Sequence, residues 1–323
     1  MSDADLLHAA ARQAVRAPSV LNTQPWRWRV TAGHLELRAD PGRSLTATDP
    51  EHRLQMLSCG AALHHARVAL AAAGRSARVD RMPDPREPDL LARLALGEAV
   101  AADPGTVAMA DAIARRRTDR RAYGARRLPD ALLDRLAEVV EAEGAHLHRV
   151  RWAQTPMLAV STARAAAAER DDAEYLRELE RWTHRPPEAG DGVPAATAVR
   201  PAPRRVPVRD HVPGETAGLT AGASFDEGAT FVVLYGGGDA PEDWLRGGEA
   251  ASALLLTATA EGVATAPLSD VVEVAAPRQL LRTLLGRPGE PYLVVRLGYV
   301  DDTAPPLPPA PRRDPDEVIE RLP

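Results

Sequence analysis

Seven consecutive residues, Arg115-Arg116-Arg117-Thr118-Asp119-Arg120-Arg121, carry five guanidinium groups. Guanidinium forks grip phosphate oxygens in bidentate pairs, and a Thr hydroxyl between them adds a further bond. Cations this close repel one another, so the segment reads either as a site for an anion or as a solvated helix end. A second segment, Ala17-Pro18-Ser19-Val20-Leu21-Asn22-Thr23-Gln24-Pro25-Trp26, runs from a helix end through a polar turn into a strand start. Such a turn presents backbone N–H groups and short polar side chains on rigid flanks. That suits hydrogen bonds to the edge of a flat heterocycle, although an ordinary helix-to-strand loop has the same composition.

Other chemically capable residues promise less. Gly236-Gly237-Gly238-Asp239 follows an apolar strand but lacks G-x-G-x-x-G and the helix that should open with it. His64 and His65 are adjacent on a helix and should point to different faces. His146 and His148 share one strand face without a third ligand nearby. The one cysteine, Cys59, excludes a disulfide scaffold and a thiolate cage, and reads as a small buried residue. Every basic residue besides His is Arg, which removes Schiff-base and P-loop lysine chemistry. Trp152, Trp182 and Trp244 read as packing.

The elements that must position these residues follow from periodicity. Leu6, Leu7, Ala10 and Ala14 recur at helical spacing over 4–16, and Ala17-Pro18 ends that helix. Alternation over Trp26–Val30 and His34–Arg38 predicts a hairpin. A long helix should start at Asp49-Pro50 and stop at Gly74, with Leu54, Leu57, Ala61 and Val68 as its buried stripe. Strands are expected at Arg78–Met82 and Leu90–Leu96. Asp103-Pro104-Gly105 opens a second section, with helices over 106–117, 130–143, 156–183, 245–261 and 277–285. Strands should lie at 146–151, Phe231–Tyr235 and Tyr292–Leu297. Helices and strands alternate without a strict βαβ rhythm, which indicates α+β layers. The Ala-rich helices echo each other: Gly60 to Gly74 and Gly248 to Gly262 have equal spacing, so each half should own one central helix. Any two Ala-rich helices would look this much alike, so the echo leaves duplication open.

At 323 residues, 45% hydrophobic and 26% charged, the chain is long enough for about two domains. A net charge of -5 offers no field for nucleic acid. No apolar run approaches the roughly 20 residues of a membrane helix. The opening MSDADLLHAAARQAV is acidic, unlike a secretory signal, and a cytoplasmic location is expected.

APSVLNTQPWRW (17–28) resembles the APSxxNxQPW segment of the FMN-dependent nitroreductase family, and RRRTDRRAY with LPDALL resembles its RRSxRxF…P segment. EGVATAPLSD (261–270) resembles its E-G-x-x-T turn, and PRRDPDEVI (311–319) its basic tail. The order, PSVLN before RRRTDR in one chain, is similar to the fused Acg-type branch of actinobacteria. The resemblance implies an α+β nitroreductase-like fold duplicated as an internal pseudo-dimer. Its halves would be 1–103 and 104–323, the second including a Pro-rich lid over 183–222 and a C-terminal arm over 301–323. It also implies one composite FMN site per chain and no need of a partner subunit. Arg116, Arg117, Thr118 and Arg120 would hold the phosphate and ribityl end, with Arg312 and Arg313 closing on the phosphate. Pro18, Ser19 and Asn22 would line the ring, and the backbone at Glu261 and Gly262 would approach its N5. An Arg such as Arg121 would replace the Lys that often contacts the pyrimidine edge.

The stretch 183–222 contains Pro186, Pro187, Pro194, Pro201, Pro203, Pro207 and Pro213. So long a segment without regular structure is either a lid or a disordered linker, and Arg200, Arg204, Arg205 and Arg209 could anchor a lid to acidic groups. Two functions follow: an oxidoreductase passing electrons from NAD(P)H through FMN to a nitroaromatic or quinone, or a lidded protein that sequesters FMN with little turnover. No catalytic side chain and no metal are expected.

Overall fold

The structure, a computed structural model, describes residues 2–322 except 201, 212–217, 223, 287 and 302. Ser2 opens α1 (Asp3–Ala14) with a capping box to Asp5, and Leu7, Ala10, Ala11 and Ala14 are its buried face. β1 (Trp26–Val30) and β2 (His34–Ala39) form the expected hairpin, with Trp26 and Trp28 buried and Arg27 exposed. After α2 (Arg53–Ala72) come β3 (Arg75–Arg81), β4 (Leu90–Ala99), α3 (Pro104–Arg115), α4 (Asp130–Ala142) and β5 (His146–Arg149).

The single helix expected over 156–183 is two, α5 (Thr155–Asp171) and α6 (Ala173–Thr183). Asp172 takes an extended conformation, and its carboxylate accepts from the N–H groups of Glu174 (2.8 Å) and Tyr175 (3.1 Å). Its strength as an N-cap outweighs helical continuity. The chain then passes through β6 (Thr230–Gly236), α7 (Pro241–Ala260), β7 (Ala264–Leu268), α8 (Asp270–Glu273), α9 (Ala275–Leu285) and β8 (Glu290–Gly298), and ends with α10 (Pro315–Val318) and β9 (Ile319–Arg321). β7 and β9 have no counterpart in the sequence expectations. β7 contains Pro267, which breaks the strand signal; the strand sits at a sheet edge, where a missing N–H is tolerated. β9 has three residues, too few for a periodic signal.

The strands form two sheets. One has the order β3-β4-β2-β1-β9, antiparallel except for β9, which runs parallel to β1. The other has the order β5-β6-β8-β7 and is antiparallel throughout. Residues 319–321, which follow the second sheet in sequence, thus complete the first. Trp28, Leu63, Leu254 and Val294 belong to one continuous core spanning both sheets and the helices between them.

At the centre of that core α2 packs on α7, and the two echoed glycines meet. A Cβ on Gly60 would lie 1.9 Å from the Leu245 carbonyl oxygen and 2.9 Å from Gly248 Cα, and one on Gly248 2.0 Å from the Leu57 carbonyl oxygen. The obstacle is backbone, which no rotamer change relieves. Gly60→Ala is therefore expected to destabilise the chain by about 3 kcal/mol through overpacking, despite the better helix propensity of Ala. Urea unfolding of Gly60→Ala against Gly42→Ala, at an uncrowded turn, measures this; equal stability would refute the close crossing.

The described part of the Pro-rich stretch is packed. Short 3-10 turns form at Pro187–Ala189 and Ala195–Thr197. Val206 joins the main core, and Val193 packs with Leu21, Leu45 and Trp182. Pro201 and Pro213 lie outside the described residues.

Candidate functional site

The two sequence segments singled out above meet where α2 crosses α7. Beyond α1 the backbone is contorted: Leu21, Asn22 and Gln24 adopt φ of 46°, 54° and 50°. Such values are uncommon for non-glycine residues and persist only when the surroundings enforce them. Here Gln24 N–H donates to Ser19 Oγ (2.9 Å) and Val20 N–H to Ser58 Oγ of α2 (3.2 Å). Asn22 Nδ2 donates to the Gly192 (3.0 Å) and Pro311 (3.1 Å) carbonyls, and its Oδ1 accepts from Arg312 Nη1 (3.0 Å). The Asn22 amide therefore ties the turn to the Pro-rich stretch and to the C-terminal arm.

The arginine segment leaves α3 in extended conformation at Arg116 and runs beside β7, where Asp119 N–H donates to the Thr265 carbonyl (2.9 Å). Arg296 on β8 holds it from below. This fully buried side chain donates twice to Asp226 (2.9 and 2.8 Å), and also to the carbonyls of Asp119 (3.0 Å) and Arg121 (2.8 Å). Sequence reasoning missed Arg296. The signal was a lone charge in the apolar run Tyr292-Leu293-Val294-Val295-Arg296-Leu297, since a buried charge needs partners. Arg121 is not free to contact a ring: it chelates Asp119 (3.0 and 2.7 Å) and donates to the Pro305 carbonyl (2.7 Å).

Two adjoining cavities, about 120 and 80 Å³, share Pro18, Ser19, Leu21, Thr118 and Arg120 as lining and form one cleft. The larger end is a slot with apolar walls from Leu54, Leu57 and Ala61 of α2 and Ala251 and Leu255 of α7. Pro267 and Ser269 close one edge, and Arg209 and His211 from the Pro-rich stretch close another. The smaller end is lined by Asn22, Arg116, Arg117 and Arg312.

The electrostatics of the smaller end are unbalanced. Arg116 is 5% exposed, and its Nε and Nη1 have no hydrogen-bond partner. Burial, reinforced by Arg117 and Arg120, pulls its guanidinium down to about 10. Burial and Arg209 likewise pull Arg120 down to about 10, and burial with Arg116, Arg117 and Arg16 pulls Arg312 down to about 9. A buried cation without a counter-charge is costly. Among the described residues no carboxylate forms an ion pair with Arg116, Arg120 or Arg312, and a phosphate monoester has the geometry and charge to do so. A flat heterocycle fits the apolar slot beside it.

Three expected residues lie elsewhere. Glu261 is exposed and pairs with Arg135 (3.2 Å), while Gly262, at φ 70°, ends α7 and would meet nothing within 4 Å if it bore a Cβ. β7 separates them from the cleft, because each strand residue advances about 3.3 Å. The strand's far end, Pro267 and Ser269, reaches the cleft instead. Arg313 turns toward Asp40 (3.6 Å) and donates its N–H to Gln24 Oε1 (3.0 Å), bracing the turn from outside. His64 and His65, expected to diverge, both place Nδ1 on Ser252 Oγ of α7 (2.8 and 2.9 Å). Burial pulls His64 down to about 3 and lowers His65 too, so both are neutral. Among the described residues no cluster suited to a metal ion occurs, and no helix is long and apolar enough to cross a membrane.

Comparison with known proteins shows what the chain is similar to. The chain is 40% identical to Rv3131 of Mycobacterium tuberculosis, which carries a provisional NAD(P)H nitroreductase name, over 98% of this chain and 92% of that one. It is 35% identical to Acg of the same organism, similarly named, over 99% of this chain and 96% of Acg. The solved FMN-dependent nitroreductase NfnB from Mycobacterium smegmatis, in complex with NADPH, is 18% identical, with a TM-score of 0.41 over 65% of this chain and 96% of NfnB. Residues 113–299, which include the arginine segment and β7, match the nitroreductase family, and the chain belongs to that family.

Proposed function

We propose that the chain is an NAD(P)H oxidoreductase whose cofactor, FMN, occupies the cleft between α2 and α7. One observation carries the reading: the guanidinium groups of Arg116, Arg120 and Arg312, none of them in an ion pair among the described residues and Arg116 with two unpartnered nitrogens, stand together at one end of an apolar slot. Arg116, Arg117, Thr118 and Arg312 hold the phosphate, and Arg120 stands where the two ends of the cleft join. Pro18, Ser19, Leu57 and Leu255 face the ring, with Pro267 and Ser269 at its edge and Asn22 bracing the loop. FMN supplies the hydride chemistry when bound; the chain binds it, orients it and excludes water. Electrons from NAD(P)H pass to an electrophile of the nitroaromatic or quinone class.

The crossing of the two Ala-rich helices at Gly60 and Gly248 supports reading the chain as a fused pair of halves, 1–103 and 104–323, with the last strand exchanged onto the first sheet. Each half then contributes one wall of a single cleft, so one FMN binds per chain and a monomer suffices. Flavin released by acid should equal the protein in moles; a ratio near two would refute the single composite site, and a colourless chain would refute the cofactor. Anaerobic NADPH should bleach the flavin spectrum.

A second reading, a protein that sequesters FMN beneath a lid over 183–222, is favoured by one observation. Arg209 and His211 of that stretch line the ring end of the cleft, and Arg209 is anchored to Glu169 and Glu273. Dithionite bleaching without NADPH bleaching would select it.

A further inference from the structure

One wall of the cleft holds more negative charge than it can keep. Glu169 of α5 and Asp270 and Glu273 of α8 are buried around a single cation, Arg209. Arg209 Nη2 donates to Glu169 Oε1 (2.9 Å) and Glu273 Oε2 (2.5 Å), and the Tyr175 hydroxyl donates to the same Oε2 (3.4 Å). Three carboxyl groups share one guanidinium away from water, an arrangement that favours a proton on one of them.

Glu273 is placed to be that group. Its side chain is 1% exposed; Oε2 is occupied by Arg209 and Tyr175, and Oε1 is buried without a hydrogen-bond partner. The groups facing it are Glu169 from α5, Tyr175 from α6, Arg209 from the Pro-rich stretch, and Ser269 and Asp270 from its own element. His211 lies next to Arg209. Burial, only partly offset by Arg209, pushes the Glu273 carboxyl up to about 7 and that of Asp270 up to about 6.

Two cavities lie near Glu273. Ser269, one helical turn before it and beside its carboxyl, lines the ring end of the cleft. Glu273 itself borders a pocket of about 260 Å³ with Asp49, Arg278 and the exposed Glu51, its carboxyl covered from that pocket in the resting fold. Leu54 and Leu57 line both cavities, so one layer of side chains divides them.

We propose that Glu273 is the proton store for reductions carried out in the cleft, passing its proton inward through the Ser269 hydroxyl and refilling from water in the outer pocket. The proposal rests on the reading above that a hydride is transferred there. Reduction of a quinone to its hydroquinone takes up one hydride, from the reduced cofactor, and one proton. The Ser269 O–H bond breaks as the substrate O–H forms, the Glu273 O–H breaks as that of Ser269 re-forms, and the Glu273 carboxylate takes a proton from water. Ser269 is thus the catalytic residue and Glu273 a positioning residue that loads it.

The test uses the full chain with Glu273→Gln, Ser269→Ala and the conservative Ser269→Thr. Infrared difference spectra across neutral pH should show a protonated-carboxyl band that titrates in the parent and is missing in Glu273→Gln. This arm needs no turnover. In stopped flow, chemically reduced protein is reoxidised by a quinone, which removes NAD(P)H from the question. The parent rate should fall as pH rises through neutrality. Glu273→Gln and Ser269→Ala should be roughly tenfold or more slower and flat with pH, and Ser269→Thr should recover the parent profile. A parental pH profile in Glu273→Gln, or an unchanged infrared band, overturns the proposal. If Glu273→Gln does not fold, a parental profile in Ser269→Ala overturns it alone. A chain that binds no flavin instead refutes the cofactor reading and leaves the infrared result standing.

Discussion

Arg116→Met is expected to weaken FMN binding by roughly a hundred- to ten-thousand-fold while making the apoprotein harder to unfold. The two effects have one cause. In the apoprotein Arg116 Nε and Nη1 are buried without partners and face other cations, so the charge is a cost to folding. On the proposed reading a bound phosphate would turn that cost into two charge-assisted hydrogen bonds, each contributing about 1.5–3 kcal/mol. Met keeps the aliphatic packing and removes both. Flavin fluorescence titration should show the loss of affinity, and urea unfolding of apoprotein should show a gain on the order of 1–3 kcal/mol. A variant that loses stability and keeps its FMN affinity would mean that the arginine is structural and the anion binds elsewhere.

Arg296→Met should produce the larger loss of stability, about 3–5 kcal/mol, because it leaves the buried Asp226 carboxylate with the Tyr123 N–H (2.8 Å) as its one direct donor among the described residues. Arg204, 3.7 Å from Asp226, is too distant to replace two direct hydrogen bonds. The Arg121 carbonyl loses its Arg296 donor in the same step and the Asp119 carbonyl keeps only the Tyr123 hydroxyl (3.0 Å), so FMN affinity should fall although Arg296 does not line the cleft. The double variant Arg296→Met with Asp226→Leu removes the orphaned charge. It should regain most of the stability and little of the affinity, since the arginine segment still lacks its support. If urea unfolding shows Arg296→Met within 1 kcal/mol of the parent, the assigned role fails. The same holds if the double variant binds FMN normally.

Much of the fold was legible because it rests on local signals. Asp103 and Gly74 mark helix boundaries by chemistry that needs no distant partner. β1 alternates because one of its faces is buried and the other is more open. Where the reading failed, a local rule met a stronger one. Asp172 split a periodic helix by capping, Pro267 hid an edge strand, and β9 was too short to show a period.

What the sequence determined by itself about this protein is the inventory of the site. Five guanidinium groups in seven residues, a polar turn after a proline and a basic tail are consistent with an anion that carries a flat body, although a solvated helix end and an ordinary loop have the same composition. Only the tertiary structure decided which of these residues share a cleft. It turned Arg121 onto Asp119 and Arg313 onto Asp40, because a carboxylate within reach binds a guanidinium before a ligand can. It left Glu261 and Gly262 at the solvent end of β7 and brought Pro267 and Ser269 to the slot, because a strand fixes distance along the chain. It also put Arg209, Glu169 and Glu273 from three remote segments into one buried cluster. No spacing in the sequence encodes that cluster: it exists only because the Pro-rich stretch folds back on α5 and α8 and so removes their carboxyl groups from water.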